Sequence, residues 1–353
     1  MIKTPGKSIR ANHLKKIVIA VIAIIVLVVG YYSGVGSNIV GEGDFYIRFI
    51  DVGQADSALI VCKGETMLID GGNVEDSDLI YTVLVKEGIN KLDYVVCTHA
   101  HEDHVGGLTG ALQKRSVTTV YTPTLEYDTR AFSNFIERAN DIGAQIKIPR
   151  VGETFNLGDA KVTILGPIKN YDDTNNTSIV LRVEYGNTSF IFTGDMESEA
   201  ETDLINSGAK LDATLLKVGH HGSSTSTSYR FLREVMPTYA VISVGKNNDY
   251  GHPHGEVLSR LSDADATVYR TDACGDIICI SDGEQLEFEF AKGNYKSTDP
   301  KGDTVETFIG NKVSSVFHRS DCESLPNENN RVYFYNEEQA KKSGYRPCGM
   351  CNP

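Results

Sequence analysis

Apolar and polar positions follow two different periods along residues 45–291, and together they predict mixed α/β structure. Short apolar runs with alternating polar residues predict strands, and apolar residues three or four positions apart predict helices. The predicted strands lie within 45–70, at Leu92–Cys97 and Thr119–Tyr121, after Asp159, Thr177 and Thr188, and at Ala213–Val218 and Tyr239–Val244. The predicted helices are Glu75–Glu87, Ser133–Gly143, Glu197–Ser207, Tyr229–Val235 and His254–Ala264, with a last hairpin near Gly275. Strands followed by helices, twice over, predict an α/β sandwich with helices outside two sheets.

An unbroken apolar run lies close to the amino terminus. Residues 17–32 read IVIAVIAIIVLVVGYY, and no charged residue follows until Glu42. With its flanking lysines and small residues, this run is long enough to predict one transmembrane helix over 17–35. The basic residues before it predict a cytoplasmic segment 1–16, a linker at 36–44 and an extracytoplasmic remainder. A cleaved signal peptide, and hence a secreted protein, is the alternative.

The composition is that of a folded, acidic protein. The 353 residues carry 34 Lys and Arg against 47 Asp and Glu, a formal net charge of −13, and 41% are hydrophobic. These values exclude disordered, collagenous and coiled-coil classes, and seven cysteines are too few for a disulfide scaffold. Because an acidic surface repels polyanions, any action on nucleic acid has to come from a local site.

The strongest chemical signal is the motif THAHEDH, which follows an apolar strand and ends at His104. Imidazoles and carboxylates are good ligands for divalent metal ions, and a loop with this spacing can serve two ions. His99 and His101 would then face one ion, and Asp103 and His104 the other. A solvated, histidine-rich turn is the alternative interpretation.

The THAHEDH motif resembles the histidine-rich motif of metallo-β-lactamase fold hydrolases, and two further segments support the resemblance. Leu68–Gly72 is similar to the first motif of that family, whose Asp70 orients the metal site, and Thr193–Asp195 is similar to the motif that supplies the bridging carboxylate. The resemblance implies a four-layer αββα sandwich with two divalent ions, zinc or manganese. It also implies that Asp103 and Asp195 hold a water molecule that acts as the nucleophile.

A closer resemblance, over about 45–290, is to the hydrolase domain of ComEC-type competence DNA-uptake proteins. It rests on FIDVGQADS at 49–57, NNTS at 175–178, LKVGHHGS at 216–223 and GHPH at 251–254. The supporting residues that this resemblance implies are Asp51, Asp56, Asp70, Asn175, Asn176 and Ser223. Asn175 and Asn176 stand where many relatives have a further histidine ligand, so one ion is expected to be held less tightly.

The last metal ligand is open between His220, His221 and His252. In related phosphodiesterases that have both positions, the earlier histidine transfers a proton and the later one binds metal, so His252 is the expected ligand. His220 or His221 is then the proton donor to the leaving oxygen or a phosphate contact. His254 is expected to be a surface residue at a helix start. The Ser- and Thr-rich run 222–228 is either a phosphate contact or a flexible loop.

A polar linker at 292–304 precedes a second unit, residues 305–353. In this unit His318, Cys322, Cys348 and Cys351 form a complete set for one structural zinc ion. The segment resembles the zinc module of Ada, a DNA-repair methyl acceptor. Because His318 stands where Ada has its reactive cysteine, methyl transfer is not expected. Contact with DNA and a purely structural role both stay open.

The other cysteines fall into two pairs. Cys62 and Cys97 lie in apolar strands and are expected to be buried as small hydrophobic residues. Cys274 and Cys279 flank a turn and are expected either to be free or to form a disulfide across a hairpin.

The motifs are compatible with three functions. The first, which we expect, is a membrane-anchored, extracytoplasmic metal-dependent phosphodiesterase or nuclease related to DNA uptake, with DNA as a partner. The second is a hydrolase of a small ester, such as a lactone, a cyclic nucleotide or a cell-wall phosphodiester, and the acidic composition favours it. The third is a non-catalytic binding module, which the two asparagines favour. The oligomeric state is left open.

Overall fold

The structure is a computed structural model that describes residues 44–292 and 308–351, except 320, 321, 323, 328, 329, 335 and 336. The predicted transmembrane segment 17–35 and its flanking residues 1–16 lie outside the described residues, as does the linker 36–44 apart from Asp44. Within the described ranges, no helix is both long and apolar enough to cross a membrane.

Two sheets are formed by the strands of residues 44–292. In chain order, β1 to β15 are Phe45–Phe49, Ala58–Cys62, Glu65–Ile69, Lys91–Val96, Ser116–Tyr121, Gln145–Lys147, Thr154–Leu157, Ala160–Gly166, Val180–Tyr185, Thr188–Phe192, Leu215–Lys217, Tyr239–Ile242, Thr267–Arg270, Ile277–Ser281 and Leu286–Phe290. The first sheet has the order β15-β14-β1-β2-β3-β4-β5-β6, and the second has the order β13-β12-β11-β10-β9-β8-β7. Strands β3 to β6 are parallel, as are β10 to β13, so the carboxyl ends of each set meet at one edge.

Helices connect these strands and cover the outer faces of the sheets. In chain order, α1 to α8 are Ser77–Lys86, Glu102–Val105, Leu108–Ala111, Arg130–Asp141, Ser198–Asn206, Tyr229–Val235, Gly255–Asp263 and Thr271–Cys274. Short 3-10 helices lie at Val74–Asp76, Asn175–Thr177 and Gly219–Gly222. Helices α1 to α4 pack against the first sheet, and α5 to α7 pack against the second.

An apolar core holds the two sheets face to face. Phe45 of β1 stacks on Phe190 of β10 with 5.1 Å between ring centroids, and Phe49 stacks on Phe192 at 6.0 Å. Such aromatic pairs bury large apolar areas, which is the main force that closes a sandwich. The predicted αββα order of layers is therefore present.

Two local predictions need correction. The helix expected at Ser133–Gly143 begins earlier, because the Thr129 side chain accepts a hydrogen bond from the Phe132 amide and caps it. The hairpin expected near Gly275 lies further along, since β14 and β15 are joined by residues 282–285 and α8 precedes Gly275.

The displaced hairpin decides between the two cysteine alternatives. Cys274 ends α8, whereas Cys279 lies on β14 opposite Ile47 and Phe288. Both thiols are buried and free, so the disulfide alternative is not realised. Cys62 and Cys97 are buried, as predicted.

The second unit has its own small sheet. Its elements are β16 Phe308–Asn311, β17 Val316–His318, β18 Arg331–Phe334, α9 Glu337–Lys342 and β19 Arg346–Pro347, with the strand order β18-β16-β17-β19. Its core consists of Phe308, Phe317, Phe334 and Ala340. A core this small is marginal by itself, which favours a metal ion as a second source of stability.

A close backbone approach ties the loop after β3 to the histidine-rich segment. The Gly71 amide donates to the His104 carbonyl at 2.8 Å, and the Gly107 amide donates to the Gly72 carbonyl at 3.1 Å. A Cβ atom at position 107 would lie 1.9 Å from the Gly71 carbonyl oxygen. Only glycine fits at this contact, which sets the position of His104 relative to Asp70.

We predict that Gly107→Ala lowers the free energy of unfolding by about 1–3 kcal/mol or more, because the backbone has to separate at this contact. Gly255→Ala is the matched control, since a Cβ there meets nothing within 4 Å. Urea unfolding of both variants measures the difference. Equal stability of the two variants would contradict the steric argument.

Candidate metal centre

Strand ends from both sheets deliver the candidate ligands to one place. Asp103 and His104 follow β4 of the first sheet, whereas Asp195 follows β10 and His221 follows β11 of the second. The ligand atoms of these four residues all lie within 4.8 Å of one another. The group therefore forms only where the two sheets meet.

The imidazoles and carboxylates of this group face each other closely. His104 Nε2 lies 3.2 Å from Asp195 Oδ1, and His221 Nε2 lies 3.2 Å from Asp103 Oδ2 and 3.6 Å from Asp195 Oδ2. His104 Nε2 and Asp195 Oδ1 are buried, and apart from their approach to each other neither has a well-aligned hydrogen bond. Buried polar atoms without partners are costly, and a divalent cation between them removes that cost. The donor set thus fits a metal ion.

The rings of His104 and His221 are oriented by hydrogen bonds at Nδ1, on the side of each ring away from the carboxylates. His104 Nδ1 lies 2.8 Å from Asp70 Oδ2, and His221 Nδ1 lies 3.0 Å from the carbonyl oxygen of Ser243. Since both partners are acceptors, each Nδ1 carries a hydrogen and each Nε2 is left to face the carboxylates. Asp70 is fixed in turn by the amide and the hydroxyl of Thr98, at 2.8 and 2.7 Å.

Backbone strain accompanies the site. Asp70, His220 and His221 have φ values of 57°, 48° and 53°, in the left-handed region that side chains other than glycine rarely adopt. Such conformations cost free energy, and they persist where the surrounding structure imposes them. These are three of the ten non-glycine residues with positive φ among the described residues.

His99 and His101 lie beside the group as a close pair. His99 Nε2 lies 3.0 Å from His101 Nδ1, and the ring centroids of His99 and His104 are 4.1 Å apart. The two asparagines, Asn175 and Asn176, form hydrogen bonds with Glu197, which lies two residues after Asp195. Asn176 Oδ1 accepts from the Glu197 amide at 3.0 Å, and Asn175 Nδ2 donates to its carboxylate at 3.3 Å.

The surroundings shift the pKa values of these histidines in opposite directions. Burial and the neighbouring His104 hold the pKa of His99 well below its usual range. Burial opposes protonation of His221 as well, but Asp195 and Asp56 outweigh it and raise its pKa to about 10. Asp195 and Asp70 likewise raise the pKa of His104 against the effect of burial. Without metal, protons on His104 and His221 therefore balance the carboxylates.

His220 occupies a different position from its neighbour. Its side chain is 23% exposed, against 2% for His221. Its Nδ1 lies 3.1 Å from Glu197 Oε1, which also accepts a hydrogen bond from Thr225 Oγ1 at 2.9 Å. His220 Nε2 lies 3.7 Å from Asp195 Oδ2. An accessible imidazole that is held from behind suits proton transfer better than metal ligation.

His252, the ligand expected from the sequence, lies outside the four-residue group. Its Nδ1 is 3.3 Å from Gln54 Nε2, and its ring centroid is 6.4 Å from that of His221. The geometry favours His221 as the last ligand, because Nε2 of His221 is the atom that reaches both carboxylates. His254 immediately precedes α7, at the helix start as expected, but it is half-buried, and its Nδ1 accepts from the Ser224 amide at 2.9 Å.

The remaining supporting residues are distributed unevenly. Asp56 lies next to the group, with Oδ2 2.7 Å from Lys217 Nζ and Oδ1 3.5 Å from His221 Nδ1. Ser223 Oγ lies 3.0 Å from Thr225 Oγ1. Asp51 is instead paired with Lys292 at 3.0 Å, and its amide donates to Asp276, so the structure does not bring it to the group.

Lys217 and Glu197 are the two residues whose roles the sequence reasoning missed. A lysine in the wholly buried strand β11 is a signal for a buried partner, because an unpaired ammonium ion there would be very costly. Glu197 lies two positions after Asp195, and nothing in its local pattern distinguishes it from the acidic residues that follow it in α5.

The second unit brings its four predicted ligands together. The ligand atoms of His318, Cys322, Cys348 and Cys351 all lie within 4.8 Å of one another, which suits a tetrahedral zinc ion. Hydrogen bonds from the Cys351 and Met350 amides outweigh desolvation and lower the pKa of Cys348 to about 7. A thiol of this kind is readily deprotonated for metal binding.

Comparison with known proteins identifies both units. The family model of the metallo-beta-lactamase superfamily matches residues 50–246, and the model of the metal binding domain of Ada matches residues 294–353. The chain is 32% identical over 255 residues to ComE operon protein 3 of Bacillus subtilis, which covers 67% of this chain and 33% of that protein.

Two further relatives have similar coverage. Competence protein ComA of Neisseria gonorrhoeae is 30% identical over 73% of this chain and 34% of its own length. Recombination protein 2 of Haemophilus influenzae is 30% identical over 70% of this chain and 30% of its own length. The chain spans about a third of the length of these curated relatives.

Metal uptake by the four-residue group is predicted to release about two protons near neutral pH, because His104 and His221 must lose theirs to become ligands. The pKa of His221 is raised to about 10 and that of His104 is raised well above its usual value, so both rings carry a proton at neutral pH in the metal-free protein. Apparent metal affinity should therefore rise with pH through the neutral range. Manganese titration calorimetry in buffers of different ionisation enthalpy measures the release.

The full chain is titrated without added zinc, since manganese binds poorly to the thiolates of the cysteine-containing unit and therefore reports on the four-residue group. His221→Gln should reduce the release by about one proton. Affinity that does not change with pH would contradict the protonated metal-free state.

In zinc-free full-length protein, Cys348 is predicted to be alkylated at least about tenfold faster than Cys351, because its pKa is about 7 and that of Cys351 is raised to about 11. Zinc should protect both thiols. Iodoacetamide labelling followed by peptide mass spectrometry gives the rates, and Cys279, which is buried, serves as the unreactive control. Equal rates for the two thiols, or no protection by zinc, would contradict this assignment.

Proposed function

The chain belongs to the metallo-beta-lactamase superfamily, and from this premise we propose that it is a membrane-anchored hydrolase that cleaves phosphodiester bonds in nucleic acid. It is a hydrolase of this superfamily related to competence proteins. The substrate, the anchor and the individual roles of the residues are our proposal.

The observation that carries the proposal is the four-residue group at the meeting of the sheets. Asp103, His104 and His221 would hold one ion, and Asp195 would serve as a ligand of this ion and of a second one. When bound, divalent ions of this kind activate water for attack and stabilise the charge that develops on a phosphate. Asp70 and the Ser243 carbonyl hold the rings of His104 and His221 in place for this task.

His99 and His101 are the proposed ligands of the second ion. Among the described residues, no further histidine lies in the position of a third ligand for this ion. Asn175 and Asn176 stand at the place in the sequence where many relatives have that histidine. Asn175 Oδ1 is buried without a hydrogen-bond partner, which leaves it available as a weak oxygen ligand. We therefore expect this ion to be the more weakly held of the two.

His220 is the proposed proton donor to the leaving oxygen. Its ring is accessible, and Glu197 and Thr225 lie behind Nδ1, so Nε2 is presented towards Asp195. Adding a proton to the leaving oxygen in the transition state lowers the barrier of ester hydrolysis. Ser223, beside Thr225, is a proposed phosphate contact.

Nucleic acid is the proposed substrate because the relatives are competence proteins. The acidic composition favours the second candidate, a hydrolase of a small ester, since a net charge of −13 repels a polyanion. The two are separated by supplying the metal-loaded chain with single-stranded DNA and with a small phosphodiester. Cleavage of only the small substrate would reject nucleic acid.

Membrane anchoring rests on the sequence of residues 17–35. The uncharged apolar run and the basic residues before it support a single span with the hydrolase outside the cytoplasm. The zinc unit is proposed as a structural element, because its small core benefits from the ion.

Adjacent histidine variants should give opposite results in metal content. His220→Gln is expected to lower kcat by roughly 10²- to 10⁴-fold while both ions of the hydrolase domain stay bound, since only proton transfer is lost. His221→Gln is expected to lose one of these ions, because the ring is a ligand. Metal analysis by mass spectrometry and phosphodiesterase rates are measured on the same full-length preparations.

Each variant is the control for the other, since the same change is made one position apart. Loss of an ion in His220→Gln with full occupancy in His221→Gln would reverse the two roles. Undiminished phosphodiesterase activity in Asp103→Ala would reject a metal-dependent hydrolase altogether.

A further inference from the structure

Tyr250 stands out on the surface beside the metal centre. It lies in the connection between β12 and α7, and it is 71% exposed. A single exposed aromatic ring needs no explanation on most protein surfaces. What distinguishes Tyr250 is the rigidity of the loop that carries it and the series of rings beneath it.

The loop is fixed by its own polar contacts. Asn248 Nδ2 donates to the carbonyls of Gly245 and His252 at 2.9 and 2.6 Å, and the His252 amide donates to Asn248 Oδ1 at 3.0 Å. Gln54 Oε1 accepts from the Gly245 amide at 3.0 Å, and the His254 amide donates to the Gly222 carbonyl at 2.9 Å. Contacts of this number hold the loop in one conformation, so the exposed ring is presented in a fixed place.

Three rings lie nearly parallel from the surface to the metal centre. Tyr250 is stacked with His252, with 5.7 Å between centroids and 21° between planes. His252 is stacked with His221 at 6.4 Å and 23°. His252 is only 8% exposed, so the outer face of this series is that of Tyr250.

We propose that Tyr250, backed by His252, is a stacking platform for a nucleobase of the substrate strand whose phosphate lies at the metal centre. The proposal rests on the proposed function and names the substrate class more narrowly, as unpaired nucleic acid. The two ring-to-ring steps from Tyr250 to His221 span up to about 12 Å, more than one sugar, so the stacked base belongs to a nucleotide further along the strand than the one whose phosphate lies at the metal centre. In a duplex the face of a base is covered by its neighbours, whereas in a single strand it is available.

Stacking also offers a way for this acidic protein to bind nucleic acid, although its net charge of −13 repels a polyanion. Every base offers a flat face, and stacking on an aromatic side chain contributes affinity without a positively charged surface. The gain is independent of sequence, which suits an enzyme that acts on DNA from any source. An acidic protein can therefore bind a strand through a metal centre and a ring.

The experiment compares an oligothymidylate with an abasic oligonucleotide of the same length and phosphate spacing, using the full-length, metal-loaded chain. Tyr250→Ala is expected to raise Kd and KM for the oligothymidylate by roughly 5- to 150-fold, which corresponds to the stacking of one base. The abasic strand should bind equally weakly to the wild type and the variant. Fluorescence anisotropy gives Kd, and initial rates give KM and kcat.

Two variants control for structure. Tyr250→Phe keeps the ring and should keep the affinity. Tyr229→Ala removes another exposed tyrosine, on α6 outside this loop, and should leave both strands unaffected. Unchanged binding in Tyr250→Ala, or an equal loss on the abasic strand, would overturn the platform.

These outcomes separate the platform from the proposed function. If neither strand is cleaved but Tyr250→Ala still weakens oligothymidylate binding, the platform holds and the hydrolase assignment fails. If the wild type cleaves both strands equally well and the variant matches it, the hydrolase assignment holds and the platform fails.

Discussion

The structure depends on the meeting of two carboxylates, one from each sheet. Asp103 follows β4 and Asp195 follows β10, and their carboxylate oxygens lie 3.2 and 3.6 Å from Nε2 of the same imidazole, that of His221. Like charges at this separation repel strongly where water is excluded, so cations have to lie among them. In the metal-free protein, the protons on His104 and His221 compensate the negative charge of the two carboxylates. Bound divalent ions would supply a larger positive charge in the same place. Metal binding and closure of the sandwich at this edge are therefore linked.

Charged residues behind the four-residue group hold its side chains in place. Asp56, after β1, accepts from Lys217 of β11 at 2.7 Å, and this buried ion pair joins the first sheet to the second. On the other side of the group, Asp70 after β3 holds His104. Positive and negative groups thus alternate from the interior towards the metal centre. A buried pair of this kind costs desolvation, and its benefit here is that it fixes which ring faces which carboxylate.

Sequence reasoning succeeded where the signal is local. The order of most strands and helices and the approach of the THAHEDH motif to Asp195 were predictable, because both segments come shortly after apolar strands and strand ends meet at one edge of a sheet. It failed where the answer depends on loops. The hairpin was placed near Gly275, although α8 occupies that position, and the ionic roles of Lys217 and Glu197 arise from partners distant in sequence, Asp56 and His220.

The choice among His220, His221 and His252 shows why loop geometry decides chemistry. Neighbouring residues in an extended strand point to opposite sides, so at most one of two adjacent histidines would reach Asp195. Here both residues have left-handed backbone, and both Nε2 atoms approach Asp195 Oδ2, at 3.7 Å for His220 and 3.6 Å for His221. The rings are inclined by 65° to each other, and His221 is buried whereas His220 is partly exposed. Backbone strain thereby gives two adjacent, identical side chains different environments, one suited to holding an ion and the other to moving a proton.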